Sequence, residues 1–217
     1  MASANRFFTR ALGILSILIG LAFAITAAPA LSAELAGKIT RMKGDGVAES
    51  GGKTRKLAEG SEVFVGDLLK TGKDTRLEIA MIDAAKLTLG DNSRLRIESY
   101  LFDEAKNTGN ANVKVIAGVF RAVSGKLGQV AGAPFQVTMQ TATLGIRGTE
   151  FWGEQKKNDL LVALLGGGGI YLETRAGRVD ISEAGMATRI TTAAKPPSAP
   201  FKLTEAQMQA ALATVAW

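Results

Sequence analysis

Residues 141–153, TATLGIRGTEFWG, hold the chain's densest collection of groups able to do chemistry. Hydroxyls, a guanidinium, a carboxylate and two aromatic rings stand beside three glycines. Arg147 carries five donors in a rigid planar fork, suited to loop carbonyls, a carboxylate or a bound anion. An anion site needs convergent partners, and the neighbouring sequence supplies none. A structural clamp is therefore expected of Arg147, so that Arg147→Ala lowers stability rather than abolishing a reaction. Gly145 and Gly148 bracket the tip and permit positive φ at either end. Thr141, Ala142 and Leu144 enter on one strand and Phe151 leaves on the next, giving a strand-turn-strand unit.

Elsewhere the chemistry is thin. The chain contains no histidine and no cysteine. That removes Ser-His and Cys-His nucleophile pairs, histidine-based metal sites and the commonest general base. The acids in strands and turns are Asp67, Glu78, Asp83, Asp91, Glu98 and Glu150. A glycosidase requires two facing carboxylates at a controlled separation, and the sequence places no such pair. Asp67 and Asp91 each follow a glycine, where a short carboxylate ordinarily bonds nearby backbone. The glycines at 166–169 lack the lysine and hydroxyl of a phosphate loop and suggest a flexible hairpin loop. Asp91-Asn92-Ser93 is too short for a calcium loop. No catalytic residue, cofactor or metal ligand is assigned, and an enzyme is not expected.

The elements that must position these residues are short strands. RLEIAMI, RLRIESYLF and NVKVIAGVFRAV alternate apolar and polar residues, the last broken at Gly118. KITRM, EVFVGDLL, KLTL, PFQVTM, EFWG, LLVALL, IYLET and VDI are separated by glycine-rich turns. This spacing predicts an all-β domain over residues 34–191, β-solenoid-like or sandwich-like in winding. GKITRMKG (37–44) and GVFRAVSG (118–125) echo each other, consistent with coiled winding, two related halves or simply two similar strand-turn units. Residues 192–202, rich in proline, predict a linker. Residues 203–217 predict an α-helix with Thr204 and Gln207 as a capping box and Leu203 and Met208 as a staple. Met208, Ala211, Leu212 and Val215 form its apolar stripe, expected to pack on the parent domain.

With 47% hydrophobic and 21% charged residues, the 217-residue chain has ample apolar material to fold. Residues 1–33 carry Arg6 and Arg10, then an uncharged apolar run, then small residues, the layout of a secretory signal. Cleavage after Ala30 fits best; an uncleaved anchor is the other reading, and it alone implies membrane attachment. The net charge is +6, or +4 without Arg6 and Arg10, with basic and acidic residues interspersed. No basic stripe of the kind nucleic-acid binding requires is visible, and no nucleic-acid partner is expected.

TATLGIRGTEF resembles the signature that closes the FecR domain, a bacterial envelope module. Further segments match in order. EGSEVFVGDLLKTG (59–72) is similar to the family's Gly-Asp-x-x-x-Thr-Gly turn, carried here by Gly66, Asp67, Thr71 and Gly72. RLEIAMIDAAKLTLGDNSRLRI resembles its alternating strand pair, and GVFRAV followed by PFQVTM completes the series. The resemblance covers about residues 37–190 and marks Thr141, Gly145, Arg147, Gly148, Thr149 and Phe151 as its structural motif. Ala84-Ala85 departs from the Gly-Ser often found there, which concerns the geometry of that turn. The family is named for a sensor linking an outer-membrane iron-siderophore receptor to a cytoplasmic sigma factor. Here a signal segment takes the place of the cytoplasmic region and only the linker and helix follow the domain, so that sensor role is not expected to carry over. The resemblance implies a periplasmic, non-enzymatic interaction or signalling scaffold with envelope proteins as partners. Peptidoglycan or another glycan, stacked on Phe151, Trp152 and Tyr171, is an alternative. Regulation through a separate membrane protein is another.

Overall fold

The computed structural model describes residues 33–130, 135–146 and 148–217. Residues 33–217 form one compact unit. Its strands build two sheets that share one long member.

The chain passes from one sheet to the other and back. Strand β1 (Leu35–Lys43) lies in sheet A, and the hairpin β2 (Gly46–Ser50)–β3 (Lys53–Lys56) in sheet B. Strand β4 (Glu62–Phe64) returns to A and β5 (Leu68–Thr71) to B. The hairpin β6 (Arg76–Met81)–β7 (Lys86–Leu89) is in A, and β8 (Arg94–Asp103) joins B. Strand β9 (Thr108–Val123) pairs with β8 in sheet B through its first part and with β7 in sheet A through its last. Three hairpins then alternate: β10 (Phe135–Thr138)–β11 (Thr143–Ile146) in B, β12 (Thr149–Lys156)–β13 (Asp159–Gly167) in A, and β14 (Ile170–Thr174)–β15 (Gly177–Ile181) in B. Strands β16 (Met186–Ile190) and β17 (Phe201–Lys202) close sheet A. All pairings are antiparallel except β9–β10.

The fold is thus all-β, and its winding explains why both solenoid and sandwich suit the sequence. Successive passes advance along two sheets, as in a solenoid. The inward side chains of both sheets form one continuous core, as in a sandwich. Ile39, Leu77, Ile79, Phe120 and Phe151 reach it from sheet A, and Leu69, Leu95, Ile97, Val113, Val137 and Leu144 from sheet B. The two echoed octapeptides occupy β1 and the last part of β9. They run antiparallel within sheet A, because β6 and β7 intervene with alternating direction. They are therefore not translational copies.

The switch of β9 between sheets happens at Gly118, where the alternating pattern breaks. Its φ is +93°, and a Cβ there would lie 2.4 Å from the Ser93 Cα. Only glycine fits such a backbone angle and such an approach. The Ser93 hydroxyl donates to the Val119 carbonyl and accepts from the Val119 N–H, each at 2.9 Å. This holds the strand as it turns from one sheet to the other.

The helix α1 (Glu205–Ala213) lies on the outer face of sheet A. The Thr204 hydroxyl accepts from the Gln207 N–H, and the Gln207 side chain accepts from the Thr204 N–H, forming the capping box. Leu203, Met208, Ala211 and Val215 pack with Val119, Trp152, Ala163 and Ala187 of the sheet. Leu212 differs from expectation: it is exposed. The sheet contact is narrow enough that Met208, Ala211 and Val215 fill it, and Leu212 is turned away. The proline-rich segment is tied down along its length. Thr174 donates to the Lys195 carbonyl at 2.9 Å, and Thr188 to the Ser198 carbonyl at 2.8 Å.

Candidate functional site

The Gly-Asp turn lies where the chain crosses from β4 in sheet A to β5 in sheet B. Gly66 has φ +91° and donates to the Ile97 carbonyl. Asp67 is 1% exposed. Its carboxylate accepts the Phe64 N–H at 2.8 Å and pairs with the Arg55 guanidinium. Arg55 also donates to the Glu62 carbonyl at 2.8 Å. A buried carboxylate deprived of such partners costs several kcal/mol, about 3–5. Asp67 therefore ties β3, β4 and β5 together. Thr71, at the end of β5, donates to the Gly90 carbonyl at 2.6 Å and accepts the Ser93 N–H at 2.8 Å. The Gly72 N–H reaches the Asp45 carbonyl at 2.8 Å.

The 141–153 stretch also crosses between sheets. Strand β11 pairs with β10 and β14, whereas β12 pairs with β9 and β13, so the two strands flanking the tip are not a hairpin. Gly148 has φ +55°. Gly145 does not use positive φ; it is extended, and glycine is required there because the Tyr171 ring lies against it. A Cβ at Gly145 would meet that ring at 2.1 Å. Thr149 is 3% exposed and joins three segments. Its hydroxyl donates to the Gly166 carbonyl at 2.7 Å, its N–H reaches the Ser124 hydroxyl at 2.9 Å, and its carbonyl accepts the Ser124 N–H at 2.9 Å. Phe151 is fully buried, edge-on to Phe120 at 5.9 Å between centroids. Thr141 is buried, and its hydroxyl has no hydrogen-bond partner among the described residues. Arg147, and with it the expected clamp, lies outside the described residues.

The glycine run at 166–169 is not a hairpin loop. It carries the chain from β13 in sheet A to β14 in sheet B, and two of its glycines, Gly167 and Gly169, are closely approached by backbone. A Cβ at Gly167 would fall 2.4 Å from the Gly148 carbonyl oxygen. A Cβ at Gly169 would fall 2.8 Å from the Ile181 carbonyl oxygen, whereas one at Gly166 would meet open space.

Sequence reasoning missed the hub at Asp83. This carboxylate is fully buried at the β6–β7 turn. It accepts the Tyr100 hydroxyl at 2.7 Å, the Ala85 N–H at 3.1 Å and the Leu127 N–H at 3.1 Å. Burial and the facing Asp83 charge hold the Tyr100 phenol well above its ordinary range, so Tyr100 stays a donor. The signal available in the sequence was Ala84, which takes φ +66° where the resembled family often has glycine. A strained residue beside an aspartate marks a turn with a purpose.

The three aromatics suited to stacking on sugars are differently placed. Phe151 is in the core, and Trp152 is 3% exposed beneath α1, its indole donating to Thr214 at 3.1 Å. Neither can stack on a ligand. Tyr171 is half-buried on the outer face of sheet B between Gly145 and the Arg178 guanidinium, which sits 3.9 Å from the ring centroid.

The outer face of sheet B gathers basic residues that are interspersed with acids along the sequence. Register puts Lys70 of β5 opposite Arg94 of β8, and Arg96 of β8 opposite Lys114 of β9. Their inward neighbours Leu69, Leu95, Ile97, Val113 and Val115 are buried, so all four cations point outward. They are distant in sequence and adjacent in space. No group of three or more acidic side chains that could hold a metal ion occurs among the described residues.

Residues 67–168 match the FecR protein family model. The match runs from Asp67 of the Gly-Asp turn through the 141–153 stretch to the glycine run. A comparison with curated proteins finds no match. Two crystal structures described as a "putative anti-sigma factor" from Parabacteroides distasonis ATCC 8503 share the fold, with TM-scores of 0.54 and 0.53 at 12% identity. Each alignment covers 67% of this chain and 63% or 64% of the other, so the chain spans less than two thirds of those proteins. The chain carries a FecR domain over residues 67–168.

Proposed function

We propose that this is a non-enzymatic periplasmic protein whose FecR domain serves as a protein-interaction or signalling scaffold in the bacterial envelope. The observation that carries this reading is the FecR match over 67–168, on a fold shared with proteins described as anti-sigma factors. The fate of the motif residues supports it. Asp67, Thr71, Thr149 and Phe151 are all engaged in holding backbone or core, which makes the motif a device for winding two sheets rather than for turning over a substrate. Export through residues 1–33 belongs to the same reading. Envelope extract passed over the immobilised full chain is expected to yield a specific protein partner under mild conditions; recovery of none overturns it. Sequencing the N-terminus of the protein from its host checks export, with Leu31 as the expected first residue.

The anti-sigma description of the two structural neighbours favours a second, narrower reading: regulation of envelope signalling through a separate membrane protein. An adjacent gene for a sigma factor, receptor or membrane cyclase supports it, and a neighbourhood lacking all three counts against it. Glycan binding by aromatic stacking is not favoured, because Phe151 and Trp152 are buried.

A further inference from the structure

Two cross-strand pairs on the outer face of sheet B are like-charged: Lys70 opposite Arg94, and Arg96 opposite Lys114. Like charges directly opposite each other destabilise a sheet, so their juxtaposition is not explained by folding. Two acids relieve the face in part. Glu49 bonds Lys70 at 2.6 Å, and Glu98 lies 4.0 Å from Lys114. Arg94 and Arg96 form no ion pair among the described residues; Arg96 only donates to the Gly66 carbonyl at 3.3 Å. Lys56, opposite Val47 in the neighbouring row, adds a further cation, and Asp45 pairs with it at the rim, at 3.3 Å. Among the described residues no α-helix lies on this face, whereas α1 covers the corresponding face of sheet A.

We propose that the outer face of sheet B across β5, β8 and β9 docks an acidic segment of a partner protein, with Lys70, Arg94, Arg96 and Lys114 receiving its carboxylates. This rests on the protein-interaction reading and names the surface and the chemistry of the partner. Arg94 and Arg96 are alternate residues of one strand, which sets them about 7 Å apart. Alternate carboxylates of an extended peptide have the same spacing, and each guanidinium can take a carboxylate with two parallel bonds. The face suits other polyanions poorly. Single-stranded bases stack on an aromatic platform, and Tyr171 is three strands beyond β9 with the Gly145 backbone and the Arg178 guanidinium against its ring. Lipid surfaces favour exposed apolar anchors, and Leu101 is the single exposed large apolar residue on these three strands.

The test is fluorescence anisotropy of a labelled poly-glutamate peptide with the full chain at low and high ionic strength. The wild type is expected to bind at low salt and to release the peptide as salt rises. Arg94→Glu/Arg96→Glu is expected to weaken binding by roughly tenfold or more. The thermal midpoint of that variant is expected to equal or exceed the wild type's, since both like-charge pairs are relieved. Absence of poly-glutamate binding at low salt overturns the proposal, as does binding that the double variant retains. Tighter binding of phosphatidylglycerol vesicles, a sulfated glycan or oligothymidylate, lost in the double variant, overturns the assignment to a protein partner. An envelope protein captured equally by wild type and variant overturns this surface while leaving the scaffold reading intact; capture by neither overturns the scaffold reading itself.

Discussion

The two sheets share a core and a strand, yet their outer faces are opposites. On sheet A, Val119, Trp152 and Ala163 make an apolar patch that the chain covers with its own helix. On sheet B, the face at β5, β8 and β9 carries four cations from three strands, and no α-helix among the described residues lies on it. The first face gains stability from burial, at about 25 cal/mol per Å² of apolar surface removed from water. The second gives up some stability in two repulsive pairs. A face that does not serve the fold is where an interaction surface is to be sought.

That contrast can be broken most completely at the junction. Gly118→Val is expected to destabilise the protein by at least about 3 kcal/mol, because the side chain would overlap Ser93 at a backbone angle it disfavours. Chemical denaturation should show a larger loss than for any single change on either outer face, with both sheets unfolding together. Trp152→Ala tests face A alone. It removes the indole at the centre of the helix contact and its bond to Thr214, with an expected cost of about 3 kcal/mol. Arg94→Ala on face B is expected to stay within about 0.5 kcal/mol of wild type in the same assay. Equal losses from the two would erase the distinction.

Ala84→Gly sharpens the comparison by altering neither face. The β6–β7 turn already holds φ +66°, so glycine should raise stability by about 1 kcal/mol, read as a higher denaturation midpoint. Such a variant provides a more stable background for binding measurements on face B. The smallest effect concerns acid. The Asp159 carboxyl is held below its usual range first by its hydrogen bond with Arg189, at 2.7 Å. Its folded value is lowered, so its contribution is present above the unfolded value near 3.9 and is lost as pH falls through the lower folded value. Arg189 is exposed and Asp159 half-buried at the surface, where solvent screens the pair, and the effect should be slight. Stability measured against pH should therefore fall slightly less below about pH 4 in Asp159→Asn than in wild type.

Much of the fold was legible in local pattern. Alternation in RLEIAMI and RLRIESYLF marks strands because side chains of a strand take opposite faces. Thr204 and Gln207 marked a helix start because the orphan N–H groups there need those acceptors. The candidate site was less legible. The 141–153 stretch reads as strand, turn and strand, and β11 and β12 flank the tip, but their pairing partners are set by long-range register, which places them in different sheets. Asp83 looked like any turn acid, since nothing local places Tyr100 and Leu127 against it.

The sequence by itself determined the alternating strands such as β6 and β8, the capped helix and the lack of histidine and cysteine. These follow from short-range sterics, side-chain period and residue type. The tertiary structure alone decided which strands share a sheet, that Gly118 moves β9 from one sheet to the other, and that Trp152 lies beneath the helix while Tyr171 lies over Gly145. It also decided that Lys70, Arg94, Arg96 and Lys114 meet on one face. Charge adds up over space, and residues separated by many positions in the chain become neighbours only when the register of the sheets is set.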